Sequence, residues 1–161
     1  MEAPLTLPTT TDRAALHAAL FPQVRALIEG ETDLIATMAN VAAAVREAFG
    51  WHWVGFYRVV GNELVLGPFQ GPIACTRIAF GKGVCGTAWK EDRLLVVPDV
   101  DLFPGHIACS ALSRSEIVLP IHDQQGRVAA VFDIDSSVAD DFSADDVDGL
   151  KRLCALMEPL C

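Results

Sequence analysis

The sequence predicts an α+β fold, one domain with a central antiparallel sheet flanked by helices. Three observations carry this expectation. Apolar residues recur at helical spacing through the first 49 residues. From Trp51 the pattern changes to short aromatic and β-branched runs separated by turn residues. A last helical stripe follows over 144–157. Helices at the ends with hairpins between them fit an α+β arrangement, and 161 residues suit a single domain with one sizeable core.

Taken in order, residues 1–10 read as a flexible N-terminal arm, with the domain over 11–161. The spacing of Ala15, Leu16, Ala19, Leu20, Val24 and Leu27 predicts a helix over 12–29, with Thr11 as its cap and Pro22 placed to kink it. Leu34, Ile35, Met38, Val41, Ala42, Val45 and Phe49 predict a second helix over 33–49 with its apolar side inward, stopped by Gly50. Strands over 51–60 and 63–69 flank the turn Gly61-Asn62 and form a hairpin. A short strand at 77–80, a helix at 84–91 and a strand at 94–98 come next. The stretch 99–114 is too long for an idle connection in a compact domain. Strands at 115–122 and 127–135 surround the turn 123–126. Ser143 caps a closing helix over 144–157, with Asp146 in the capping-box position.

Composition removes several function classes. Net charge is −9, from 12 basic and 21 acidic residues, and no basic cluster offers the positive footprint that nucleic acid requires. No apolar run approaches the length of a membrane span, and the mean hydropathy of +0.34 belongs to a globular chain. The first residues, MEAPLTLPTT, lack the basic and apolar regions of a secretory signal. A cytoplasmic location is the expectation.

The chemistry-bearing residues are Cys75, Cys85 and Cys109, in Gly- and Pro-rich segments, followed by Glu116, Asp133 and Asp135. In a reducing compartment, grouped cysteines point to catalysis or redox sensing more than to structural disulfides. Cys109 lies in the long loop, where functional residues concentrate. Cys85 starts the short helix, and a helix N-terminus lowers a thiol pKa. Cys75 precedes a strand. Burial as small apolar groups is the alternative for each. A zinc site from His106, Cys109, Cys85 and Cys75 is another, although no CxxC pair supports it. Cys154 falls on the stripe of Leu150, Leu153 and Met157 and reads as packing. Asp133 and Asp135 share one strand face, where mutual repulsion favours keeping a proton on one of them. Trp53 and Tyr57 also share a face, as core or as a pocket wall.

The segments LGPFQGPIAC, GKGVCGTAW, DVDLFPGHIACSALSRSEIVLPI and VFDIDSS, in that order, resemble the free methionine-(R)-sulfoxide reductases, which are GAF-domain proteins. The likeness runs over most of the chain and takes in all three loop cysteines and all three acids. It implies a GAF-like fold with a closed pocket and reduction of free L-methionine-(R)-sulfoxide with thioredoxin as reductant. By position it implies Cys109 as nucleophile, Cys75 as resolving cysteine and Cys85 as an auxiliary thiol. Glu116, Asp133 and Asp135 then supply pocket carboxylates, and Trp53 and Tyr57 an aromatic wall. A homodimer is common in that family, and neither a cofactor nor a resident metal is expected. A non-enzymatic GAF sensor is the competing reading, since one fold hosts many functions.

Overall fold

A computed structural model of the chain describes residues 4–107 and 111–161. Cys109, expected as the nucleophile, lies outside the described residues. Four helices, α1 (Arg13–Leu27), α2 (Leu34–Phe49), α3 (Gly83–Glu91) and α4 (Ala144–Met157), accompany one sheet. Its strands are β1 (Trp53–Val60), β2 (Glu63–Gln70), β3 (Arg77–Ala79), β4 (Leu95–Val97), β5 (Ser115–His122) and β6 (Val128–Ser136). They lie in the order β3-β2-β1-β6-β5-β4, and every pairing is antiparallel. The expected α+β class with a central antiparallel sheet is therefore the observed one.

The helix ends follow local chemistry. Asp12, not Thr11, caps α1, accepting from the amides of Ala14 and Ala15. A carboxylate there also complements the positive end of the helix dipole. α1 runs through Pro22 as one continuous helix. Asp33 caps α2 through the Ala36 amide, and Gly50 ends it in the left-handed conformation. Ile35, expected inward, sits in the first turn of α2 and is 42% exposed. The predicted capping box of α4 is present in full, with Ser143 and Asp146 bonded reciprocally. Within the long stretch between β4 and β5, Val100–Leu102 forms a 3-10 turn. Residues 4–10 are not detached: Leu5 and Leu7 pack against the main core, and Thr6 exchanges hydrogen bonds with the Gln23 side chain.

The two sheet faces carry different cores. Strand alternation sends Val54, Phe56, Ile117, Leu119, Phe132 and Ile134 to one face, where they join the buried stripes of α1, α2 and α4. Trp53, Tyr57, Val118 and Val131 face the other way and join Val84, Cys85 and Ala88 of α3. Register places Glu116 beside Asp135 and Val118 beside Asp133 on the central pair β5–β6, with Trp53 opposite Asp135 on β1. The acids thus project to the α3 side. Among the described residues, no helix is long and apolar enough to cross a membrane.

Candidate active site

α3 is held close to the sheet edge by its glycines. At Gly86 an added Cβ would stand 2.6 Å from the Ala79 carbonyl oxygen, so a side chain there would push the helix away. The Gly86 carbonyl accepts from the Gly81 amide. This close seating brings Cys85, in the first turn of α3, over Glu116 and Asp133 on β5 and β6. Cys85 Sγ donates to Glu116 Oε1 at 3.9 Å. One ligand atom from each of Cys85, Glu116 and Asp133 lies within 4.8 Å of the others.

These three, with Asp135, Ser113, His106, Ile107, Ile78, Gly83 and Val84, line a cavity of about 30 Å³, roughly the room of one water. Glu116 and Asp133 are each only 6% exposed. Desolvation raises the pKa of both well above the carboxylate range, and the neighbouring acid charges raise Glu116 and Asp133 further. Asp135 is raised to about 6 by burial, with a Ser113 hydrogen bond pulling the other way. His106 Nε2 stands 3.9 Å from Glu116 Oε2. An uncompensated buried carboxylate keeps its proton at neutral pH, because the charged form loses its hydration and faces like charges. The cavity therefore presents carboxylic acid groups, which donate hydrogen bonds and protons.

The expectation for Cys85 is corrected here. Its position at a helix start suggested a lowered thiol pKa. Burial raises it instead, and the Asp133 and Glu116 carboxylates raise it further. The dipole of a nine-residue helix does not offset the loss of water and two adjacent acids. Cys85 is a neutral thiol donor in this setting. Cys154 is buried as expected, at 4% exposure.

Trp53 and Tyr57 are buried side by side, ring centroids 6.0 Å apart, on the acid face. They lie behind the cavity and are not among its lining residues. Each ties down the segment after β2: Trp53 Nε1 donates to the Pro72 carbonyl at 3.1 Å, and Tyr57 Oη to the Cys75 carbonyl at 3.0 Å. The acids push the Tyr57 hydroxyl pKa up beyond what burial does alone, so this phenol stays protonated. Cys75 is half-buried, packed against the same core, and disulfide-bonded. Cys85, Cys154 and Cys161 carry free thiols. Ser113, which moderates Asp135, and Ile78 and Ile107, which wall the cavity, gave no signal in the sequence. Neither serine nor isoleucine is unusual in a loop or strand.

Residues 33–158 match the model of the GAF domain. A GAF domain-containing protein A of Dictyostelium discoideum is 54% identical over 86% of this chain and 88% of its own length. The free methionine-R-sulfoxide reductase of Escherichia coli is 45% identical over 91% of this chain and 89% of its own length. The crystal structure of free methionine-R-sulfoxide reductase from Neisseria meningitidis, in complex with its substrate, superposes with a TM-score of 0.94. It is 50% identical and covers 98% of this chain and 94% of that one. The chain thus belongs to the GAF-domain family and, within it, to the free methionine-R-sulfoxide reductases.

Proposed function

We propose that this protein reduces free L-methionine-(R)-sulfoxide to L-methionine by thiol chemistry, with Cys109 as nucleophile, Cys75 as resolving cysteine and thioredoxin as reductant. The observation that carries this reading is the buried Glu116–Asp133 pair, held in the acid form at neutral pH by burial and by neighbouring acid charges, Asp135 among them. Sulfoxide oxygen leaves sulfur only after protonation or strong hydrogen bonding, and a carboxyl with raised pKa supplies that. The likeness to named reductases of the free amino acid supports the substrate class.

The electron and proton balance is closed by two thiols. A cavity carboxyl protonates the sulfoxide oxygen. The Cys109 thiolate attacks sulfur, and the oxygen passes to cysteine as methionine departs, leaving a sulfenic acid. The Cys75 thiol condenses with it, forming a disulfide and releasing water. The dithiol of thioredoxin then reduces that disulfide and is itself oxidised. The net change is sulfoxide plus two thiols to thioether, disulfide and water. Such recycling belongs in a reducing compartment, in keeping with a cytoplasmic location.

Each remaining site residue has a task within this scheme. Cys85 donates to Glu116 and helps fix which oxygen carries the proton. Asp135, with a pKa of about 6, is ionised at neutral pH and receives the ammonium of the free amino acid. Trp53 and Tyr57 hold the Pro72–Cys75 segment in place through its carbonyls.

The test is mutational. Cys109→Ser is expected to abolish turnover with either thioredoxin or dithiothreitol. Cys75→Ser is expected to release one methionine per enzyme and then stall with thioredoxin. Full turnover by Cys109→Ser would sink the assignment.

A further inference from the structure

Among the described residues, Cys85, Glu116 and Asp133 form a group of metal-ligating side chains close enough to share one ion. All three are buried, and they come from three elements, α3, β5 and β6. Donor atoms about 2.0–2.3 Å from a tetrahedral zinc stand about 3.5 Å from one another. Cys85 Sγ and Glu116 Oε1 are already 3.9 Å apart, and no donor pair in the set exceeds 4.8 Å.

A second, independent observation points to a cationic ligand. Asp133 lines the cavity at 6% exposure, yet its Oδ1 has no hydrogen-bond partner among the described residues. A buried acceptor left without a donor is unfavourable, because it has given up water for nothing. His106, 3.9 Å from Glu116, adds an imidazole to the same cavity wall. Thiolate, two carboxylates and imidazole together favour zinc over magnesium or calcium, which take oxygen donors alone.

We propose that this pocket binds Zn²⁺ through Cys85 Sγ, Glu116 and Asp133, with His106 or water in the fourth position, and that the ion inhibits by excluding substrate. Binding sends the displaced thiol and carboxyl protons to solvent. It also removes the proton donor and puts a positive charge where an ammonium or a sulfoxide oxygen would sit. The inhibition rests on the activity proposed above; the binding does not.

The reduced full-length protein is titrated with Co²⁺, whose thiolate complexes absorb by charge transfer, and then with Zn²⁺ to displace it. The expected result is a cobalt–thiolate band that Zn²⁺ bleaches. It is lost in Cys85→Ser, kept in Cys75→Ser and Cys109→Ser, and weakened about tenfold or more in affinity by Asp133→Asn. Steady-state assays should show Zn²⁺ raising KM for the sulfoxide with kcat unchanged. A band that survives Cys85→Ser, a band that depends on Cys75 or Cys109, or no band at all overturns the site. Binding without competition overturns the inhibition. A cobalt band in a protein that reduces no sulfoxide would leave the metal site standing and remove the reductase reading.

Discussion

Asp146 and the Glu116–Asp133 pair are all buried, on opposite sides of one sheet, and hold their protons in opposite ways. Asp146 is fully shielded between α1 and α4. His17 Nε2 meets its Oδ1 at 2.9 Å, the Ser143 amide and hydroxyl donate to its Oδ2, and Arg13 stands 3.5 Å away. Burial pushes this carboxyl up, but the His17 and Ser143 hydrogen bonds and the Arg13 charge bring it below the ordinary carboxylate range. Arg13 is itself held over the Trp51 ring and bonded to Asp141. On the α3 side no arginine or lysine is paired with the acids among the described residues, and their pKa values rise. All three carboxyls are shielded from water, and their neighbours differ. One acid is fitted for structure and the other pair for giving up a proton.

The contrast is sharpest in what neutral amides should do. Glu116→Gln and Asp133→Asn keep shape and the uncharged state that the acids already hold. Turnover should fall by about 10²-fold or more in at least one of them, while stability at neutral pH changes by under about 1 kcal/mol. Steady-state rates paired with urea denaturation would show this. Asp146→Asn should do the reverse, costing about 2–3 kcal/mol by stranding His17 and Arg13 and leaving kcat near wild type. A harmless Asp146→Asn would break the comparison.

Gly149 offers a smaller version of the same test. A Cβ there would come 2.1 Å from His17 Nδ1, so Gly149→Ala should force His17 off Asp146 and cost about 1–3 kcal/mol, read as a lowered Tm with the pH–rate profile unmoved.

The smallest effect lies in the pH dependence of stability. Asp146 has a lowered folded pKa, so its contribution is present above the unfolded value and lost as pH falls through the folded one. Asp135 is raised from 3.8 to about 6. Its protonated form is the one the fold favours, so stability is greatest below 3.8 and declines as pH rises towards about 6. Denaturation midpoints across that window should therefore flatten in Asp135→Asn and not in Asp146→Asn. Parallel slopes in both variants would contradict the assignment.

Much of this was legible in the sequence, and the omissions have physical causes. The capping box at Ser143 and Asp146 and the two-residue alternation of Asp133, Ile134 and Asp135 are local signals, and they hold. The buried pairing of Asp146 with His17 spans 129 positions, and nothing local announces it. A hint exists: His17 sits beside Leu16 on the apolar stripe of α1, and Asp146 and Gly149 interrupt that of α4. The reversed shift at Cys85 has the same origin. A helix start is visible in sequence, whereas the two carboxylates beneath it arrive from strands 31 or more positions away.

The proposed activity is measured most directly by a chiral chromatogram of racemic free methionine sulfoxide incubated with the reduced enzyme, thioredoxin and its reductase. The R epimer should disappear, the S epimer should remain, and methionine should appear in equal amount to the R form lost. Consumption of both epimers, persistence of both, or equal activity on sulfoxide within a peptide would contradict it.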